Sequence, residues 1–334
     1  MTILLPFILA SLVSALATGL VLAYAKRRLV DQVNERSSHT TPTPRGGGLG
    51  LTVGLLTVWV WTAWSATTPG PLLLATAALG GIAALGWWDD HANLPARLRL
   101  GLQFLLAGLA VAAVGAPEHG VIGPWTLAAP AWLFWPIAVV GAVWLVNLTN
   151  FMDGLDGIAG GQGLVASLAA AVLLAGTAAA PHWGLLGWSC AGACAGFLVW
   201  NLPPARIFMG DVGSTTLGLV FAMLTLAQLR AGVALELALL PLAPFILDAT
   251  CTLLRRAWRR ERLSQPHRSH LYQRLARAWG GHRPVTALYG GLALLGGAGA
   301  WAAQQGRIGT WMPVILIAGL FALLAAHGRR LAPA

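Results

Sequence analysis

The side chains able to do chemistry sit in short polar blocks between long apolar runs, and the acids among them come in groups. Asp89 and Asp90 are adjacent within Trp87-Trp88-Asp89-Asp90-His91, followed by Arg97 and Arg99. Neighbouring carboxylates near bilayer depth repel each other and are costly to dehydrate, so they require a cation or protons. Such a pair can hold Mg²⁺, or one member can take a proton from a phosphate nucleophile. Asn147, Asn150, Asp153 and Asp156 recur at intervals of three in a block running to Gly161. On a helical turn that spacing gathers all four on one face, and carboxylates presented with amides suit a hydrated metal, a sugar or a nucleotide. Asp211 lies in Met209-Gly210-Asp211-Val212-Gly213-Ser214. With Ser214 as the N-cap of the following helix, Asp211 falls just outside a helix N-terminus, where the dipole favours a carboxylate or a phosphate.

Two further blocks supply positive charge. Pro42-Thr43-Pro44-Arg45-Gly46-Gly47-Gly48 is a stiff segment ending in a glycine run that opens the next helix, and glycines let a backbone approach a phosphate closely. The stretch from Arg255 to Arg283 carries nine arginines around His267-Arg268-Ser269-His270. Attraction to anionic headgroups accounts for most of those arginines but not for the two histidines. Histidine and arginine meeting an acidic cluster would serve a diphosphate, with cations for the phosphates and acids for a metal. Asp248 is an intramembrane acid that pairs with an Arg or a His, in a role as readily structural as catalytic.

The elements that must position these groups are helices in a bilayer. With 57% hydrophobic and 10% charged residues in 334, the chain lies far from the composition of a soluble domain. A hydrocarbon core about 30 Å thick needs roughly 20 apolar residues per helix. Eleven candidates, with ten to twelve allowed, fall at about 3–24, 47–66, 70–88, 99–115, 132–149, 162–179, 184–200, 214–229, 232–252, 285–303 and 308–327. Threaded in order, they put 19 of the 21 Lys and Arg residues in alternate loops, leaving Arg230 and Arg307 on the other side. That asymmetry predicts a periplasmic N-terminus and cytoplasmic loops at about 25–46, 89–98, 150–161, 201–213 and 253–284. The cluster Lys26-Arg27-Arg28 follows the first apolar run, so that run is expected to stay as a helix. The chain reads as one all-α polytopic domain over 1–334. Its pI near 11 is then a statement of orientation in a lipid bilayer and predicts no nucleic-acid partner. Cys190, Cys194 and Cys251 read as small core residues, and Trp61, Trp64, Trp132 and Trp135 as interface anchors.

In order and in residues, these blocks resemble the polyprenyl-phosphate N-acetylhexosamine-1-phosphate transferases, over about residues 37 to 275. The resemblance implies transfer of a sugar 1-phosphate from a UDP-N-acetylhexosamine donor to undecaprenyl phosphate, with Mg²⁺ or Mn²⁺, releasing UMP. By similarity Asp211 ligates the metal, Asp89 is the base for the lipid phosphate, and Asp90 supports metal or lipid phosphate. Asn150, Asp153 and Asp156 are similar to the nucleotide-sugar group, with Asn147 and Asn201 beside them. His267, Arg268 and His270 match the diphosphate or sugar group, and Arg45 faces donor or lipid phosphate. A homodimer is left open.

Two departures narrow the branch. Enzymes of the family that act on UDP-MurNAc-pentapeptide usually carry three successive histidines and a Met near the position of Arg45. Here Arg268 and Ser269 split the histidines, and Pro44 precedes Arg45. The forms present look more like enzymes that begin O-antigen or related surface glycans at the inner membrane, with UDP-GlcNAc or a 6-deoxy relative as donor. A transporter would instead gather its polar groups at midplane. A CDP-alcohol phosphotransferase would need an Ala-Arg step that Asp153-Gly154-Leu155-Asp156-Gly157 lacks.

Overall fold

The computed structural model describes residues 4–28, 30–31, 43–128, 130–262 and 267–331. Parts of the first and fifth cationic loops, residues 29, 32–42 and 263–266, lie outside it, and with them the Ser37 to Pro42 stretch. In chain order the helices are α1 (Leu4–Arg28), α2 (Gly48–Trp64), α3 (Pro69–Ala92), α4 (Ala96–Val114), α5 (Ala131–Met152), α6 (Ile158–Leu174) and α7 (Leu185–Asn201). They continue with α8 (Asp211–Arg230), α9 (Leu235–Leu239), α10 (Ala243–Trp258), α11 (Leu271–Ala278), α12 (Arg283–Gln304) and α13 (Trp311–Leu331). Two small antiparallel pairs join them: β1 (Val30–Asp31) with β2 (Thr43–Pro44), and β3 (His119–Ile122) with β4 (Trp125–Ala128).

Among the described residues nine segments are long and apolar enough to cross a membrane. The apolar helices α2 and α6 are shorter, at 17 residues each. Together they occupy the eleven stretches expected, with ends shifted by a few residues. At 1.5 Å per residue a 17-residue helix rises about 25 Å, so α2 and α6 each fall about a turn short of the hydrocarbon core. Both begin at the same end of the bundle, where Gly48 and Gly157 bond the 201–209 stretch.

The span expected at 232–252 is broken. It runs as α9, a 3-10 turn at Leu240–Leu242, and α10. Pro241 and Pro244 lack the N–H groups that a continuous helix needs. The buried amide of Gln162 donates to the carbonyl of Pro241 at 2.7 Å, supplying a partner inside the bundle.

The core is organised around α8, which is buried along nearly its whole length. Close approach to it depends on missing side chains. A Cβ on Gly86 would lie 2.6 Å from the carbonyl oxygen of Asp211, and one on Gly48 would lie 2.4 Å from the Cα of Gly213. The ends of α3 and α2 therefore touch the first turn of α8 backbone to backbone.

The loops fall into two sets, as the charge pattern requires. At one end the backbone of Gly47 bonds Phe208, Asn201 bonds Gly157, and Arg283 donates to the carbonyl of Pro203. At the other, Arg230 donates to the carbonyl of Val114, Glu236 accepts from the amide of Gly123, and Gln304 donates to the carbonyl of Leu173. Cys190 and Cys194 are buried as expected. Cys251 is exposed on the outer face of α10, so it is no core residue. Trp61, Trp64, Trp132 and Trp135 are all exposed near helix ends.

Candidate active site

Asp89 and Asp90 close the last turn of α3, where Asn93 ends the helix in a left-handed conformation. The buried Asp89 carboxylate accepts from the amide of Leu94 at 2.8 Å and pairs with Arg99 at the start of α4. Asp90 points the other way. Its two oxygens accept the amides of Asp211 and Val212 at 3.1 and 3.3 Å, and so cap the N-terminus of α8.

That cap revises the expected position of Asp211. Helix α8 starts at Asp211 itself, with Gly210 as the residue before it, and Ser214 lies in the first turn rather than at the cap. Gly210 has φ +76°, and a Cβ there would lie 2.8 Å from an oxygen of Asp90, so only glycine fits. The Asp211 side chain faces into the bundle. One oxygen accepts from the amide nitrogen of Asn150 at 2.8 Å, and the same nitrogen reaches the Ser214 hydroxyl at 3.0 Å. Asp211 and Asp89 also lie close enough for their carboxyls to interact. Two carboxylates in that contact need a shared proton or a cation between them.

Asp153 completes the cluster as the residue that ends α5. Burial pushes its carboxyl well above the usual range, the negative charges of Asp211 and Asp90 add to the rise, and Arg45 opposes it. The cluster thus unites Arg45, Asp89, Asp90, Asn150, Asp153 and Asp211, brought from four separate loops and helix ends.

The other expected residues lie outside this cluster. Helix α5 stops at Met152, so Asn147, Asn150, Asp153 and Asp156 do not share one helical face. Asn147 donates to Gln103 of α4 and to the carbonyl of Val143, both at 2.8 Å. Asp156 accepts from the amide of Ala205 at 3.0 Å and pairs with His282 at 3.1 Å. Asn201 is buried, accepts from the amide of Gly157 at 2.9 Å, and donates to the carbonyl of Ile207 at 2.8 Å. Asp156 and Asn201 latch the 153–157 and 201–208 loops together. The glycine run is also committed: the amides of Gly47 and Gly48 each donate at 2.9 Å, to the carbonyls of Phe208 and Met209. They brace the loop before Asp211 rather than presenting a phosphate cradle.

His270 is buried, with its Nδ1 3.5 Å from Asp248. Asp248 also accepts the amides of Leu271 and Tyr272 at 2.7 and 2.9 Å and the Tyr289 hydroxyl at 2.7 Å, and so anchors the start of α11. Tyr272 then reaches the acid cluster, donating to the carbonyl of Phe151 at 3.0 Å. His267 lies 4.8 Å from His270, ring to ring, and 2.9 Å from the Ser269 hydroxyl. Burial, then the charges of His270 and Arg256, lower its pKa to about 4. A ring with that pKa is neutral at pH 7 and offers a phosphate hydrogen bonding. Arg268 faces a neighbouring basic pocket. Arg99, Gln103, Tyr272, Tyr289 and His282 all hold site elements in place. Only Arg99 and Tyr272 carried a sequence signal, through their nearness to Asp89 and His270.

Among the described residues no group of three or more His, Cys, Asp or Glu side chains is disposed as a ready metal cage. The donor set still suits a hard divalent ion, because Mg²⁺ is usually held by one or two carboxylates plus substrate phosphates and water. Among the described residues four carboxylates here face two guanidiniums, Arg45 and Arg99, so the acids outnumber the cations beside them.

Residues 72–228 match the family described as glycosyl transferase family 4, a stretch that contains Asp89, Asp90, Asn150, Asp153 and Asp211. The decaprenyl-phosphate N-acetylglucosaminephosphotransferase of Mycobacterium leprae is 32% identical, the match covering 84% of this chain and 78% of that protein. The probable undecaprenyl-phosphate N-acetylglucosaminyl 1-phosphate transferase of Bacillus subtilis is 29% identical, over 84% of this chain and 81% of its own. The phospho-N-acetylmuramoyl-pentapeptide-transferase of Thermosynechococcus vestitus is 38% identical, over 56% of this chain and 52% of its own length. With an acid cluster assembled inside a multi-pass helical bundle and relatives matched across most of its length, this chain belongs to glycosyl transferase family 4, as a membrane-embedded phosphotransferase.

Proposed function

We propose that the enzyme transfers N-acetylhexosamine 1-phosphate from a UDP-sugar to undecaprenyl phosphate, yielding the lipid diphosphate-sugar and UMP. The observation that carries this reading is the meeting of Asp89, Asp211, Asn150 and Asp90 at the first turn of α8. An oxygen of the lipid phosphate attacks the sugar-bearing phosphorus of the donor, and the bond to the UMP oxygen breaks. Asp89, its orientation fixed by Arg99 and the Leu94 amide, takes the proton of the lipid phosphate. Arg45 supplies positive charge beside the acids, and Asn150 fixes the Asp211 carboxylate. Mg²⁺ or Mn²⁺ fits at Asp211 with Asp90 in support, where it would neutralise charge on the diphosphate. Asp153 and Asp156 then belong to the nucleotide-sugar side, with His267, Arg268 and His270 over the diphosphate or sugar.

UDP-GlcNAc or a 6-deoxy relative is the donor this reading favours. Two supports are the split His267-Arg268-Ser269-His270 block and the long matches to relatives named for N-acetylglucosamine. In the cell the product would begin an O-antigen or related surface glycan at the inner membrane, with the acid cluster facing the cytoplasm. Purified enzyme incubated with undecaprenyl phosphate and a panel of UDP-sugars, followed by UMP release, tests the reading. Release only with UDP-MurNAc-pentapeptide would overturn the donor, and no release with any donor the reaction itself.

A further inference from the structure

A second cavity at the same end of the bundle lies between the last turns of α10, the 267–270 segment and α11. Six guanidiniums, of Arg255, Arg256, Arg259, Arg268, Arg274 and Arg277, line its volume of about 320 Å³. Among the described residues one carboxylate, Glu261, and Ser269 share the lining. Arg256 and Arg274 are 4% and 3% exposed, so two of these cations are built into the protein rather than dangling from it.

The guanidiniums are held largely by main-chain carbonyls. Arg255 donates to Ser269, Arg256 to Arg262 and Arg274 to Gly328, each at 2.9 Å. Carbonyls fix geometry without cancelling charge, and Arg256 also pairs with Glu261. Repulsion follows: the basicity of Arg274 is lowered by burial first and then by Arg255, Arg277, Arg329 and Arg259.

The depth of the pocket points to its ligand. It opens beside the membrane span that ends in α10, where Leu254 and Trp258 are 65% and 90% exposed, as expected of side chains meeting acyl chains and the interface. Its lining includes none of Arg45, Asp89, Asp90, Asn150, Asp153 or Asp211, and it meets the donor side assigned above only through the 268–269 segment. We propose that this pocket binds the phosphate headgroup of an anionic phospholipid, tying α11 and the arginine-rich loop to the membrane surface. A basic pocket between helix ends is the arrangement that recognises such headgroups.

The full-length enzyme, delipidated in neutral detergent, would be titrated with phosphatidylglycerol, phosphatidylcholine, inorganic phosphate or UMP, reading bound lipid by native mass spectrometry and apparent Tm by heating. Phosphatidylglycerol should be retained and raise Tm, whereas phosphatidylcholine should do neither. The double variant Arg259→Gln/Arg277→Gln, at two exposed positions, should bind phosphatidylglycerol roughly 10- to 30-fold more weakly, at about 1 kcal/mol per charge. Equal retention of both lipids, or wild-type binding by the double variant, would overturn the proposal. So would displacement of phosphatidylglycerol by millimolar inorganic phosphate, which marks a free-anion site, or by UMP, which assigns the pocket to the donor.

Discussion

At the residue scale, the carboxyls of Asp211 and Asp89 interact while Asn150 and Arg99 hold one each in place. Asp211→Asn and Asp89→Asn should each lower kcat by about 10²-fold or more at near-normal stability, since removing one charge-stabilising group commonly costs that much. Wild-type turnover in both variants would remove the assignment. Chelation by EDTA should abolish UMP release, with Mg²⁺ or Mn²⁺ restoring it; full activity in chelator would contradict the metal. His267 gives a pH signature. Its folded pKa of about 4 lies below the unfolded value of about 6.5, so the unfolded chain takes up the proton first. The stability tied to neutral His267 is complete above pH 6.5 and is lost as pH falls toward 4. The apparent Tm of wild type should therefore drop more between pH 7 and 5 than that of His267→Gln. The acids were legible because adjacency and glycine surroundings mark them locally. The capping role of Asp90 was not, because its partners lie more than a hundred residues away.

At the element scale, the site depends on helix ends brought into backbone contact. Gly48→Ala would set a methyl 2.4 Å from Gly213 and push α2 from α8, costing roughly 1–3 kcal/mol by overpacking. Gly281→Ala, which meets open space, is the matched control in a thermal melt. An equal Tm for the two would show that the α2–α8 contact is dispensable. Helix α5 illustrates what periodicity can miss. The three-residue spacing from Asn147 to Asp156 extends a helical face past the point where Gly154 and Gly157 let the chain turn away. The broken span at Pro241 was marked by its prolines, while its compensating donor, Gln162, comes from another helix.

At the scale of the whole molecule, the alternate loops gather at two opposite ends, and the acid cluster lies at the end rich in arginine. In a variant with its three cysteines replaced by alanine, Gly281→Cys and Gly309→Cys mark these two ends, both with room for a side chain. An impermeant maleimide applied to intact cells should label only Gly309→Cys; labelling of Gly281→Cys would invert the proposed orientation. Apolar run length and the distribution of Lys and Arg determined by themselves that the chain is a polytopic helical membrane protein, because bilayer thickness and charge translocation act on the local chain. The family was legible too, in blocks whose order survives in one dimension. Tertiary structure alone decided which polar residues meet. Asp90 became a cap, Asn201 and Asp156 became latches, and Gly47 and Gly48 gave their amides to a neighbouring loop. Every buried donor and acceptor must find a partner in three dimensions, and that accounting closes only once distant segments pack.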